Sequence, residues 1–339
     1  MSDELPGLDL DRLRAHLDRE VPGLVAGPLS GKVIAGGKSN LTYVVTDGTG
    51  SWVVRRPPLG HVLATAHDMP REYRVMTGLR DTAVPVPRTH LLCEDTEVLG
   101  APFYVMEHVA GTPFRTLDEI SPLGVEGIRK VADDLVTTLG HLHAVDPEDV
   151  GLGDFGRPSG FLERQVRRWS KQLEASRSRD IPGIDDLRDR LAASIPEQSA
   201  PAIVHGDYRL DNVLVTEDAR LTAVLDWEMA TLGDPLVDLG LMIVYREQPV
   251  ASGTDKPPAT SAEGFPSSPE LVDMYAAATG RDVSRLGWYV AFGCFKLAVI
   301  AEGIHFRHSQ GLTVGSGFDG IGDVVAPLVK RAHTMLKED

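Results

Sequence analysis

The sequence predicts an α+β fold in which a small β-rich lobe, residues 1–107, is followed by a larger helical lobe, residues 108–339. Two observations carry this expectation. The first third is a series of short β-branched or aromatic runs broken by Gly, Asp and Ser, and after Gly111-Thr112-Pro113 apolar residues recur at helical spacing instead. The length, 339 residues, also accommodates two lobes at about 100–200 residues each.

In chain order, strands are expected at residues 32–35, 41–46 and 52–56, then a helix at 70–79 where Tyr73, Met76 and Leu79 share a face. Val84-Pro85-Val86-Pro87 stops that helix, because a prolyl ring disfavours helix for itself and for its predecessor. Two more strands follow, at 88–94 and 103–107, joined by a turn containing Gly100. In the second lobe Ile128, Val131, Leu135, Leu139 and Leu142 make an apolar helical stripe, and residues 161–174 make a further helix. Short strands are expected at 202–204, 213–215 and 223–225. Residues 248–268, rich in Pro, Ser, Thr, Ala and Gly, read as a surface loop, and the remainder reads as helix.

Composition narrows the function. Hydrophobic residues are 42% and charged residues 24%, an ordinary globular balance. The formal net charge of −15 argues against a nucleic-acid partner, which calls for a basic face. Two cysteines, Cys93 and Cys294, provide neither a disulfide framework nor a cysteine zinc site. The N-terminal segment has no apolar core of signal-peptide length, and residues 239–245 are far short of a span of about 20 residues. The apolar segment 288–301 is interrupted by Lys296 and reads as a buried helix. The expectation is a soluble, cytoplasmic protein without a membrane partner; its oligomeric state is not legible.

The chemistry concentrates in Ile203-Val204-His205-Gly206-Asp207-Tyr208-Arg209-Leu210-Asp211-Asn212-Val213-Leu214-Val215, followed by Val224-Leu225-Asp226-Trp227-Glu228. An Asp, an Asn five positions on, and a second Asp after a strand form the spacing of a phosphoryl-transfer loop and its metal-binding Asp. Such chemistry needs a carboxylate to take a hydroxyl proton. It also needs hard oxygen donors for Mg2+, with phosphates and water completing the shell. Taken singly, Asp207, Asp211 and Asp226 are equally well explained as turn or capping residues; the ordered set on strand ends is not.

These two segments, with the continuation Gly233-Asp234-Pro235 and Asp238, resemble the aminoglycoside phosphotransferase and choline kinase-like family. Within it they resemble the branch associated with, or fused to, acyl-CoA dehydrogenases. The likeness runs from about Gly31 to Arg307. It implies a protein kinase-like two-lobed fold and an enzyme that uses ATP and Mg2+ to phosphorylate a hydroxylated small molecule. It implies Asp207 as the catalytic base, Asn212 and Asp226 as Mg2+ ligands, and His205 as a support of the loop. Asp234 and Asp238 are expected to be structural, on the preference of Asp for helix N-caps. His141 and His143, two positions apart on a helix, do not face the same way and are expected to be structural too.

In the first lobe the segment Gly36-Gly37-Lys38-Ser39-Asn40-Leu41-Thr42-Tyr43 is, by itself, a hairpin turn. By the resemblance it is the nucleotide loop, with Gly36, Gly37, Ser39 and Asn40 near the phosphates. Val53 and Arg55 share a strand face. The resemblance puts Val53 in the base pocket and Arg55 where the kinase Lys would be, with Glu72 as its partner. Arg is a larger planar fork and does not replace Lys silently. Glu107 to Val109 would be the hinge whose backbone meets the adenine edge, with Glu107 and Val109 as nucleotide contacts and Met106 packed nearby. HGD in place of HRD, and DWE in place of DFG, separate the chain from protein kinases and point to a small-molecule acceptor.

Two other readings of the same residues are a nucleotide-binding pseudokinase, favoured only by Arg55, and a metal-dependent phosphohydrolase, which needs no glycine-rich nucleotide loop. The acceptor is expected to be read by the helical remainder of the second lobe. The helix at 288–308 reads first as a structural core helix, since apolar periodicity mostly reports core, and alternatively as the wall of the acceptor site, with Glu302 and Arg307 as candidate contacts.

Overall fold

The computed structural model describes residues 5–34, 40–59, 68–247, 256–312 and 320–338. The chain divides into two compact units, residues 1–110 with 222–228, and residues 111–221 with 229–339.

The first unit is built on an antiparallel sheet of five strands, β1 (Ser30–Val33), β2 (Leu41–Thr46), β3 (Ser51–Arg56), β4 (Thr89–Cys93) and β5 (Phe103–Glu107), ordered β1-β2-β3-β5-β4. β2 and β5 match the expected bounds. β1 begins earlier than expected because Ser30 pairs with Thr46 at the far end of β2. The β2–β3 turn is fixed by Asp47, whose Oδ1 accepts from the N–H groups of Thr49 (2.8 Å) and Gly50 (2.7 Å). The expected turn at Gly100 is the end of a short helix, Thr96–Leu99, closed by Gly100 at φ 82°.

Both faces of the sheet are covered. One carries Tyr43, Val45, Trp52, Val54, Phe103 and Val105, which share a core with Leu13 and Leu17 of α1 (Leu10–Glu20). Asp9 N-caps α1, accepting from the N–H groups of Asp11 and Arg12 at 3.0 Å each. Arg56 is buried on this face and donates to the backbone oxygen of Leu99 at 2.9 Å. The opposite face, with Val53 and Arg55, is covered by α2 (Met69–Leu79), whose Met69, Glu72, Val75, Met76 and Leu79 are buried.

The second unit is mainly helical. The stripe from Ile128 to Leu142 is buried along the helix Gly124–Ala144. The helix Leu286–Ser309 is apolar nearly all round and buried over most of its length. Among the described residues it is the one helix long and apolar enough to cross a membrane, and 72% of its most apolar window is buried inside the protein. It crosses the helix Leu236–Glu247 at Gly240, where an added Cβ would lie 2.7 Å from the Tyr289 carbonyl carbon. Part of the expected surface loop is packed rather than open. Leu117 N–H donates to Pro257 O at 2.9 Å, Ala259 N–H donates to Arg115 O at 3.0 Å, and Ala262 and Phe265 are buried.

Candidate active site

In the second unit, the buried strand Ala202–Val204 pairs antiparallel with Thr231–Gly233 and delivers His205, Gly206 and Asp207 from its end. Gly206 sits at φ 83°, and a Cβ there would come within 2.8 Å of the Met229 backbone oxygen, so only glycine fits between His205 and Asp207. The polar groups around this turn are tied down. Asp238, fully buried near the start of the Leu236–Glu247 helix, accepts from the N–H groups of His205 and Gly206 at 2.7 Å each. His205 Nδ1 accepts from the Asp207 N–H at 3.2 Å. Lys296 Nζ donates to the Gly206 carbonyl at 2.6 Å.

The Asp207 carboxylate has a donor on each oxygen. Tyr245 Oη donates to Oδ1 at 2.7 Å, and Asn212 Nδ2 donates to Oδ2 at 3.1 Å and to the Asp207 backbone oxygen at 2.9 Å. A 3-10 turn, Leu210–Asn212, brings Asn212 back onto Asp207. With Nδ2 engaged there, Oδ1 is the Asn212 atom suited to a hard cation. Arg209 forms a bidentate pair with Asp211, and its guanidinium carbon lies 4.2 Å from the Tyr245 ring centroid. Burial first, then the Asp207 charge, pushes the Tyr245 hydroxyl well above the ordinary tyrosine range, so it acts as a donor.

Asp234, Asp238 and His143 have structural partners. Asp234 is fully buried and accepts from Ser199 N–H (2.8 Å), Leu236 N–H (3.0 Å) and Tyr289 Oη (2.9 Å). His143 bridges Tyr275 Oη (2.8 Å) and Asp238 (3.3 Å), while His141 is exposed. Burial lowers the His143 pKa. Glu302 takes the structural of its two expected roles. It is fully buried and accepts from Ser178 Oγ (2.9 Å) and Arg179 Nε (3.0 Å), so its carboxylate ties its helix to the segment around residue 178 rather than facing an acceptor. Arg307 is exposed.

In the first unit, Arg55 reaches from β3 to two carboxylates. Its Nη2 donates to Asp226 Oδ1 at 2.6 Å. Its Nε lies 3.1 Å from Glu72 Oε2 at an angle too poor for a hydrogen bond, an ion pair by distance. Glu72, 1% exposed, also accepts from Tyr104 Oη (2.9 Å) and Asn40 Nδ2 (3.3 Å). Burial opposes the Arg55 charge, but the facing oxygens of Tyr104, Glu72 and Asp226 outweigh it and raise its pKa. Burial pushes Glu72 up, and Arg55 and the Tyr104 hydroxyl pull it back. Asp226 adopts φ 66°, a left-handed conformation unusual outside glycine. The strand before it is anchored by the Val224 N–H donating to Pro85 O at 2.8 Å, and Trp227 Nε1 donates to Val224 O at 3.0 Å.

Of the remaining predicted nucleotide residues, Val53 is buried beside Met106 in the β3–β5 register. Glu107 is exposed, its N–H donating to Arg88 O at 2.8 Å, and Val109 is half-buried just beyond the strand. Gly36, Gly37 and Ser39 lie outside the described residues. Four neighbours of these residues were not assigned to the site by the sequence. Tyr104 and Tyr245 carry no motif spacing. Glu228, left out of the predicted site, lies 3.5 Å from Asn40 Nδ2. Lys296 had one signal, a lone cation in an apolar helix. Among the described residues no group of three or more His, Cys, Asp or Glu could hold a metal. The amide of Asn212 and the carboxylate of Asp226 are each the right donor type for Mg2+.

Comparison with known proteins bears on the family and the fold. Residues 30–289 match the phosphotransferase enzyme family. Human acyl-CoA dehydrogenase family member 11 is 33% identical over 339 residues, covering 97% of this chain and 43% of the relative. The chain thus spans less than half the length of that curated relative. The crystal structure of a putative aminoglycoside phosphotransferase from Ralstonia eutropha matches with a TM-score of 0.84 at 33% identity, covering 97% of this chain and 98% of that one. A ternary complex of aminoglycoside phosphotransferase APH(4)-Ia with AMP-PNP and hygromycin B shares the fold, with a TM-score of 0.62 at 16% identity over 96% and 97% of the two chains. With the five-stranded sheet, the helical second unit and the Asp207–Asn212 turn in place, the chain belongs to the phosphotransferase enzyme family.

Proposed function

We propose that the protein is an ATP-dependent phosphotransferase that moves the γ-phosphoryl group to a hydroxyl of a small molecule. The observation that carries the reading is Asp207, held at a strand end by Asn212 on a turn whose backbone is tied to Asp238, His205 and Lys296. Asp207 accepts the proton of the acceptor hydroxyl as its oxygen bonds to phosphorus and the bond to ADP breaks. Asn212 and Asp226 are the residues that would hold Mg2+, which when bound neutralises phosphate charge. Arg55, charged and aligned by Glu72, orients the phosphates, and Asn40 donates to the same Glu72. Val53 and the hinge at Glu107 and Val109 bind the base. AMP-PNP in the APH(4)-Ia complex supports a nucleoside triphosphate donor.

The acceptor is a hydroxylated metabolite. The likeness to acyl-CoA dehydrogenase family proteins makes a hydroxyacyl thioester the first candidate, ahead of an aminoglycoside. The test is ADP release in Mg·ATP with and without a panel of hydroxylated acceptors. Release that depends on an acceptor, with a phosphorylated product, is the expected result. Release that no acceptor accelerates above the slow background with water would indicate a phosphohydrolase, and nucleotide binding without release a pseudokinase.

A further inference from the structure

We propose that Tyr245 is a positioning residue for the base, its hydroxyl fixing one carboxylate oxygen of Asp207 while Asn212 fixes the other. The inference rests on the reading of Asp207 as the base. A carboxylate on a turn rotates about two side-chain bonds, and general-base catalysis requires its acceptor lone pair at one place. Asn212, five residues away on the same turn, moves with Asp207 and cannot by itself anchor it to the body of the unit. Tyr245 can, because it lies on the Leu236–Glu247 helix, whose Asp238 also accepts the His205 and Gly206 N–H groups. One rigid helix therefore grips the backbone and the carboxylate of the same turn. The Tyr245 ring is itself held, with the Arg209 guanidinium 4.2 Å from its centroid and Arg209 locked by its bidentate pair with Asp211. The chain Asp211, Arg209, Tyr245, Asp207 returns to the turn it started from. A carboxylate oxygen accepts more than one hydrogen bond, so a donor on each oxygen orients the group without filling it.

The experiment compares wild type, Tyr245→Phe and Asp207→Asn in Mg·ATP hydrolysis, with water as the acceptor, alongside nucleotide affinity and melting temperature. Phenylalanine keeps the ring and the Arg209 contact and removes only the donor. The expected result is a fall in kcat of about tenfold or more, with the KM for ATP within twofold and the melting temperature nearly unchanged. A kcat within twofold of wild type would overturn the proposal, as would a loss shared equally by kcat, nucleotide affinity and melting temperature. A rise in kcat would also overturn it, since Tyr245 would then be obstructing the base. If wild type hydrolyses ATP no faster than Asp207→Asn, the assignment of the base fails and this proposal falls with it. If Tyr245→Phe does not fold, Arg209→Met, which leaves the hydroxyl but frees the ring, is expected to lower kcat in the same selective way, and an unchanged kcat would count against the proposal.

Discussion

Arg55 carries two carboxylates at once, and its removal would leave both without a cation. Glu72 is the costly one, because it is buried and a lone buried charge is poorly tolerated. Arg55→Met is therefore expected to destabilise the protein by about 3–5 kcal/mol in urea unfolding. Adding Glu72→Gln should recover most of that loss, since the uncompensated charge goes with it. A loss under about 1 kcal/mol for Arg55→Met would show that the pair behaves as a surface contact. At this scale the sequence was legible where motif and chemistry coincide, as in the Arg55–Glu72 pairing. It was silent on Tyr245 and on Tyr104, whose partners lie 38 and 32 residues away with no spacing rule to connect them. It left Glu302 open, because a polar residue in an apolar helix is consistent with either a binding wall or a buried ion pair. Only the position of Arg179 decides between them.

Elements were legible to the extent that one face pattern dominates. β2 and β5 alternate or run apolar between clear turns, and the Ile128–Leu142 stripe has clean helical spacing. The helix Leu10–Glu20 was missed, because its many charges mask Leu13 and Leu17, which pack into the sheet core. The start of β1 depended on its pairing with β2, a tertiary fact that a strand's own residues do not contain. The crossing of the Leu236–Glu247 and Leu286–Ser309 helices yields a prediction of its own. Gly240→Ala places a methyl group 2.7 Å from the Tyr289 backbone, which cannot retreat as a side chain would. We expect a loss of about 1–3 kcal/mol in chemical unfolding. A loss below about 0.5 kcal/mol would mean that the helices separate freely.

For the whole molecule, acid is the expected weakness. The folded state holds His143 neutral, its pKa lowered by burial from 6.5, whereas the unfolded chain protonates it at its ordinary value. The unfolded state thus binds more protons as pH falls below 6.5, and stability declines in that direction. Asp238 acts lower still. Burial opposes its charge, but the contacts with His143 and His205 hold its pKa below 3.8, so its contribution is lost as pH falls through that depressed value. His143→Gln is expected to flatten the decline of melting temperature between about pH 6.5 and 5, and an unchanged slope would place the proton uptake elsewhere. In the proposed reaction the two aspartates, Asp207 and Asp226, have separate duties. The most direct test is to measure Mg·ATP affinity and acceptor-dependent ADP release in parallel for wild type, Asp207→Asn and Asp226→Ala. Asp207→Asn is expected to lose release by about 100-fold or more while keeping nucleotide affinity, and Asp226→Ala is expected to lose Mg·ATP affinity itself. Release within threefold of wild type in Asp207→Asn, or an unchanged Mg·ATP titration in Asp226→Ala, would contradict this division of duties.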